Sequence, residues 1–391
     1  MIYRIAFEAD KHWGAMRPEE QYRSSYILKK FLAEFPIDLY INLGDFFDTK
    51  LLLNSKASIY AVRDFTEKVQ ICASRGIPVR AIKGTRSHDY DQWDIFDNLA
   101  HNPLYNFKYF KRCTVEETLP GLNIWYAPEE NMSFSDYMGL YRDVLLDEEC
   151  INLGAFHGSF DAVMPSIALE LANSTGTTLV FNYNDCANIV KGPMVAGHWH
   201  NGETFGDLAY VGSYDRWTFG EDNIKGFAIY EYNTDTHEYR WIKVPNILAA
   251  NYKTFDLYTS NYPDSETYKA LMDLIDEELN RDPDIQIRIS IKINEERPDT
   301  DAQLDNLKFH FANERRVHFT LINQIKKDQK KKKREANQRL ESAYSYVRDN
   351  SIDIAEKIAR YIKQVLGHTY SNDEIATLIK NYVKSDTISA K

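Results

Sequence analysis

IYRIAFEADKHWG, residues 2–14, runs from a short apolar strand, Tyr3 to Phe7, straight into two metal-ligand side chains, Asp10 and His12. The same grammar returns down the chain. Leu39 to Leu43 leads into Asp45 and Asp48 of LGDFFD, and Val79 to Ile82 leads into Gly84, His88 and Asp89 of KGTRSHD. Ile124 to Tyr126 reads as a further strand, Asn152 to Phe156 leads into His157, and Met194 to Ala196 leads into His198 and His200 of AGHWH. Tyr22 to Phe35 and Ile59 to Ser74, with apolar residues at spacings of three and four, read as intervening helices. Short strands alternating with helices predict an α/β fold. In open α/β sheets ligands bind outside the carboxyl ends of the strands, so the five segments are expected to converge in one crevice.

Each segment alone is weak. Asp-x-His and Gly-Asp-x-x-Asp occur in ordinary turns, a glycine after a strand is usually a turn glycine, and a single His is more often a core residue than a ligand. His-x-His carries more, because alternate residues of an extended segment can aim two imidazoles at neighbouring ions. Five of the ten histidines fall in these segments, each behind an apolar strand. Carboxylate and imidazole without thiolate suit Mn, Fe, Zn or Mg rather than a structural zinc site. A single shared carboxylate, best placed in Asp45, is the economical way to hold two ions close enough for phosphate-ester hydrolysis.

Composition agrees with a globular chain of two or three domains: 391 residues, 43% hydrophobic and 27% charged. The formal net charge is −11, but it divides unevenly, with residues 1–320 at −17 and residues 321–391 at +6. An acidic head repels polyanions unless bound cations or local basic patches offset it. The four cysteines, Cys72, Cys113, Cys150 and Cys186, form no C-x-x-C pair, which argues against a disulfide framework and for a reducing, cytoplasmic setting. No apolar run approaches a bilayer span, and the amino terminus has no secretory pattern.

The order DKH, GDFFD, GTRSHD, FHG, GHWH resembles the calcineurin-like metallophosphoesterase superfamily. The stretch YVGSYDRWTFGEDNIKGFAIYE, residues 210–231, resembles SbcD-type nucleases, the nuclease subunits of the SbcCD and MRN repair complexes. The resemblance covers roughly residues 1–245, and its departures suit a diverged bacteriophage member. It implies a metallophosphoesterase β-sandwich flanked by helices over residues 1–247. A small α+β capping, DNA-contact domain would follow over 248–323, then a basic linker and amphipathic helices over 324–391. It further implies that Asp10, His12 and His200 hold one metal, Asp45 bridges, and His157 and His198 hold the second. Mn is the expected ion, with Mg, Fe or Zn as alternatives. His88 would contact the scissile phosphate or protonate the leaving oxygen with Asp89 orienting it, and Asp48 would support the ligands from behind.

The third motif departs from the family's Gly-Asn-His-Asp, whose Asn ligates the second metal. Here it is Gly84-Thr85-Arg86-Ser87-His88-Asp89, so either Ser87 supplies a hydroxyl ligand, which is the favoured expectation, or another group or water fills the place. Arg86 is a candidate phosphate contact, its fork matching phosphate oxygens. Trp13, Trp199 and Trp217 lie near the motifs, where packing is commoner than base stacking.

In the tail, the run KKDQKKKKR (326–334) reads as a linker. Ile354, Ile358, Tyr361, Ile362, Val365 and Leu366 share one helical face, Ser371 and Glu374 make a capping box, and a last helix follows to about Lys384. Such stripes need a covering surface: each other, the head, or a partner. The resemblance implies an SbcC-type coiled-coil ATPase, a homodimer, and hydrolysis of DNA ends in repair, recombination or DNA degradation by an exonuclease and endonuclease. The alternatives are a small-substrate phosphatase or phosphodiesterase on the same core, or a DNA-binding scaffold whose altered third motif has weakened catalysis.

Overall fold

The computed structural model describes residues 1–146, 151–175, 178–221, 223–258, 265–293, 300–323, 353–366 and 369–377. The architecture is mixed α/β, in two compact units. The first comprises Met1–Thr254, Ile275–Arg288 and Arg316–His318, and the second Phe255–Leu274, Ile289–Arg315 and Phe319–Lys391.

The strands up to residue 245 are β1 (Ile2–Glu8), β2 (Leu39–Asn42), β3 (Val79–Ile82), β4 (Phe107–Phe110), β5 (Thr114–Leu119), β6 (Leu122–Ala127) and β7 (Leu153–His157), followed by β8 (Ser159–Phe160), β9 (Val180–Phe181), β10 (Met194–Gly197), β11 (Thr204–Phe205), β12 (Leu208–Tyr210), β13 (Gly226–Asn233) and β14 (Tyr239–Pro245). Two six-stranded sheets result, in the orders β14-β13-β1-β2-β3-β4 and β11-β12-β10-β7-β6-β5. Strands β1 to β4 run parallel in one, and β12, β10, β7 and β6 run parallel in the other. The parallel blocks bring the carboxyl ends of each set to one edge.

Strand alternation assigns the core. From the first sheet Ile5, Phe7, Leu39, Ile41 and Ile82 pack with Ile124, Tyr126, Leu153, Ala155 and Val195 of the second. The opposite faces, Ala6, Tyr40 and Ala81 on one sheet and Trp125, Phe156 and Ala196 on the other, meet separate clusters that include helical residues. Burial on both faces also explains what pattern reading missed. In β13, GFAIYEYN, six of eight residues are buried, so no two-residue period marks it, yet it pairs antiparallel with β1 from Ile2↔Asn233 to Phe7↔Ala228.

The single helix expected over Tyr22 to Phe35 is two, α1 (Pro18–Ser24) and α2 (Tyr26–Glu34). The Tyr214 hydroxyl donates to Ser24 O at 3.1 Å and accepts from Leu28 N at 3.2 Å, standing where the i to i+4 backbone bond would run. A side chain inserted into the helical ladder is a recognised cause of a break. The helix Lys56–Ser74 is continuous and capped by Ser55, which accepts from Ser58 N.

Residues 252–323 are α+β: strands Tyr252–Tyr258, Gln286–Ile293 and Val317–Asn323 form a three-stranded sheet with Gln286–Ile293 central, and helices Ser265–Arg281 and Thr300–His310 lie between them in sequence. In the tail, Ile354–Leu366 is helical. Ala355, Ala359 and Ile375 are buried together, with Ile358 and Ala376 against them, so the two tail segments pack on each other there. Ser371 and Glu374 bond reciprocally, Ser371 N to Glu374 Oε2 at 2.8 Å and Glu374 N to Ser371 Oγ at 3.2 Å, as a capping box does. The basic run 326–334, residues 378–384 of the last expected helix, Cys150, and the side chains of Ile354, Tyr361, Ile362, Val365 and Leu366 lie outside the described residues. Cys72, Cys113 and Cys186 are buried and unbridged. Among the described residues no helix is long and apolar enough to cross a membrane.

Candidate metal centre

The loops that leave β1, β2 and β10 are held in an unusual backbone conformation. Asp10 (φ 51°), His12 (φ 48°), Asp45 (φ 49°) and His198 (φ 99°) all have positive φ without being glycine. Such residues cost of order 1–3 kcal/mol each and persist where the surroundings over-determine them. Gln21 in α1 supplies part of that restraint: its amide donates to Lys11 O (3.1 Å) and His12 O (2.9 Å) and accepts from Gly14 N (3.1 Å). The buried Lys11 ammonium adds bonds to Gln21 O, Ser24 Oγ and Asp215 Oδ2.

Asp89 does the same for the second and third loops. Its buried carboxylate accepts from the backbone N–H of Gly84 (2.8 Å), Asp45 (3.1 Å) and Phe47 (3.1 Å). Burial, with the Asp45 charge adding to it, pushes the Asp89 carboxyl up to about 6. The close approach demands a glycine, since a Cβ on Gly84 would lie 2.1 Å from the Asp45 nitrogen.

Three neighbouring groups result, the third being His12, Asp48 and His88, whose candidate ligand atoms also lie within 4.8 Å of one another. In the first, Asp10, His12 and His200 each present a ligand atom, all within 4.8 Å of one another. His12 Nε2 and His200 Nε2 face each other at 3.1 Å, and His200 Nδ1 bonds to Glu221 Oε1 at 3.1 Å. Asp10 also accepts from His198 N with both oxygens, each at 2.9 Å. In the second, Asp45, His157 and His198 are equally close. His157 Nδ1 donates to Leu43 O at 2.6 Å, which turns Nε2 toward Asp45 Oδ2 at 3.2 Å. That same Asp45 oxygen is 4.0 Å from His12 Nε2, so it faces both clusters, while its Oδ1 accepts from Thr85 N at 2.6 Å.

Electrostatics follow from this crowding. Burial opposes charge on His157, but the Asp45 charge and hydrogen bond outweigh it and raise the imidazole to about 10. Burial likewise opposes ionisation of Asp45, yet His157 and then His12 hold it well below the usual carboxylate range. Burial and the His157 charge lower His198. Glu221 is held down at about 2 despite burial, by the His200 bond and the Lys225 charge. At 3.1 Å the two Nε2 atoms of His12 and His200 share either one proton or a cation, and the buried His12 Nδ1 has no hydrogen-bond partner, its nearest carboxylate oxygen being Asp48 Oδ1 at 3.4 Å. The donor set therefore suits a metal ion, and these His/Asp groups can hold one.

Several residues take places other than those expected. His88 is oriented through Asp48, not Asp89: its Nδ1 donates to Asp48 O at 2.5 Å, and Asp48 Oδ1 is 4.0 Å from the same nitrogen and 3.4 Å from His12 Nδ1. Asp89 is engaged instead with the backbone N–H groups of Gly84, Asp45 and Phe47. Ser87 and Arg86 are both exposed, and the residue of this motif among the candidate ligands is Thr85, whose hydroxyl contacts Asp45 Oδ2 at 3.1 Å and His157 Nε2 at 3.3 Å. The helical turn Arg86–Asp89 rotates Ser87 outward. Trp13 is fully buried, and Trp217 packs its ring on His12 (4.7 Å between centroids) and His200 (4.8 Å).

Sequence reasoning passed over Thr85, Glu129, Glu221, Gln21 and Lys11. Glu221 lay within the quoted stretch 210–231 without a role, and Glu129 follows β6, so the strand-end rule itself reaches it. Beside Thr85 and Glu129 opens a cavity of about 770 Å³ also lined by Lys83, Arg86, Lys111 and Arg112. Among the described residues Arg86 and Arg112 form no ion pair. No family model matches the chain, and no curated protein matches it.

Proposed function

We propose that the chain is a two-metal phosphodiesterase of the calcineurin-like, SbcD-type kind, cleaving DNA at or near ends with Mn²⁺ as its preferred ion. The observation that carries this reading is the meeting of Asp10, His12 and His200 with Asp45, His157 and His198, six ligands from four strand ends with Asp45 Oδ2 facing both sets. When bound, two such ions neutralise phosphate oxygens and lower the pKa of water for in-line attack. The side chains do the rest. Glu221 and Leu43 O fix the tautomers of His200 and His157, which leaves each Nε2 as the ligand atom. His88, part-exposed and anchored through Nδ1, has Nε2 left to pass a proton to the leaving oxygen.

The substrate class rests on charge. In a head of strongly negative net charge, Lys83, Arg86, Lys111 and Arg112 gather on a cavity that reaches Thr85 and is also lined by Asp91, Glu129 and Glu130. Lys83 is paired with Asp91 and Lys111 with Asp94, which among the described residues leaves Arg86 and Arg112 as the cations offered to a phosphate. Cations along a groove suit the repeated phosphates of a strand more than one small ester. By resemblance, the tail would dock on a coiled-coil ATPase in a dimeric assembly, with its apolar helix faces in a groove.

Digestion of linear duplex, linear single-stranded and closed-circular DNA with Mn²⁺, beside a generic phosphodiester, tests chemistry and substrate together. Cleavage of linear DNA that vanishes in Asp45→Asn is the expected result. Hydrolysis of the small ester alone would refute the nuclease reading. Asp45→Asn within tenfold of the native rate, with both ions bound, would refute the two-metal one.

A further inference from the structure

Two carboxylate oxygens and two imidazole nitrogens converge on one hydroxyl. Thr85 Oγ1 lies 3.1 Å from Asp45 Oδ2, 3.1 Å from Glu129 Oε2, 3.3 Å from His157 Nε2 and 3.5 Å from His198 Nδ1. A hydroxyl has one proton to give. It can satisfy only one of the two carboxylates, so the other oxygen–oxygen contact, also at 3.1 Å, sets lone pair against lone pair unless a cation lies among them. The spacing fits a cation: with bonds of about 2.1 Å, neighbouring donors sit about 3.0 Å apart in an octahedron and about 3.4 Å apart in a tetrahedron. The three Thr85 contacts to Asp45, His157 and His198, and the 3.2 Å from Asp45 Oδ2 to His157 Nε2, fall in or beside that interval.

Resting on the two-metal reading, we propose that Thr85 is a hydroxyl ligand of the cation held by Asp45, His157 and His198, and that Glu129 positions it by accepting its proton. Asp45, His157 and His198 turn their lone pairs to the ion, which leaves Glu129 as the acceptor for the Thr85 hydrogen. The bond to Glu129 in turn aims the Thr85 oxygen inward. The backbone reinforces the placement, because Thr85 N donates to Asp45 Oδ1 at 2.6 Å. A neutral oxygen ligand beside a second carboxylate favours a hard divalent ion such as Mn²⁺ or Mg²⁺ over a softer one. Ser87, exposed on the next turn, is left out of the site.

Mn²⁺ titration of the full chain, read by electron paramagnetic resonance for bound ions and for coupling between them, tests this without reference to turnover. The native chain is expected to take up two coupled ions. Thr85→Val should weaken one of them at least tenfold and abolish the coupling, Thr85→Ser should recover affinity to within about threefold, and Ser87→Ala should change nothing. Glu129→Gln should weaken the same ion by about 10- to 100-fold, the usual effect of losing a group that orients a ligand. Two coupled ions at native affinity in Thr85→Val, or a loss in Ser87→Ala equal to that in Thr85→Val, overturns the assignment while leaving the two-metal reading intact. Fewer than two ions in the native chain overturns both. If Thr85→Val does not fold, Glu129→Gln decides, and native affinity there removes Glu129 from the role given it.

Discussion

Loading the cluster of Asp45, His157 and His198 should release a proton, and its affinity for Mn²⁺ should climb steeply with pH. In the metal-free protein His157 Nδ1 is committed to Leu43 O, so the titrating proton sits on Nε2, against Asp45 Oδ2 at 3.2 Å. That contact lifts the imidazole from its ordinary 6.5 to about 10. A group whose folded pKa lies above its unfolded value stabilises the fold fully below the unfolded pKa and loses that contribution as pH rises through the folded one. The protonated pair therefore supports the metal-free fold below about pH 6.5, and its contribution fades toward pH 10. A cation needs the same Nε2 lone pair. At pH 7 displacing the proton costs about 4 kcal/mol, three pH units at 1.36 kcal/mol each, and the cost falls by one such step per unit of pH. Asp45, held well below the usual range, stays ionised throughout and adds no slope. From pH 6.5 to 8.0 the affinity at this cluster should rise about thirtyfold. Calorimetric titration with Mn²⁺, repeated in buffers of different ionisation heat, measures both affinity and proton release. An affinity constant to within twofold over that range, with no proton released, would show that His157 is neutral before the ion arrives or is not its ligand.

His88→Ala should cut phosphodiester cleavage by about 10²- to 10⁴-fold while both Mn²⁺ ions remain bound, and loss of an ion would make His88 a ligand instead. Asp89→Ala strips the acceptor from three buried N–H groups; at roughly 1–3 kcal/mol for each unsatisfied donor, chemical denaturation should register a loss of at least about 3 kcal/mol, and an effect below 1 kcal/mol would contradict the role of Asp89 as the loop junction. Truncation after Asn323 should spare Mn²⁺-dependent cleavage of short single strands but abolish association with the coiled-coil ATPase proposed as its partner; undiminished co-purification of that ATPase would count against the tail as the docking element.

Local pattern settled a large part of this protein. Apolar runs followed by Asp or His marked β1, β2, β3, β7 and β10 and six residues that the fold gathers into groups able to hold a metal ion, because strand formation and metal ligation both leave short-range signatures in residue type and spacing. Only the tertiary structure decided the rest. Tyr214, 190 residues from Ser24, splits α1 from α2 by entering a backbone bond that no helical pattern reveals. Asp89 faces three loop amides and His88 answers to Asp48 because the turn Arg86–Asp89 sets their directions, and a motif read as letters has no direction. Thr85 and Glu129 meet across 44 residues although they follow strands of different sheets, β3 and β6, because the two sheets pack face to face. Which oxygen stands 3 Å from which nitrogen depends on long-range packing, and packing is a property of the whole fold rather than of any segment.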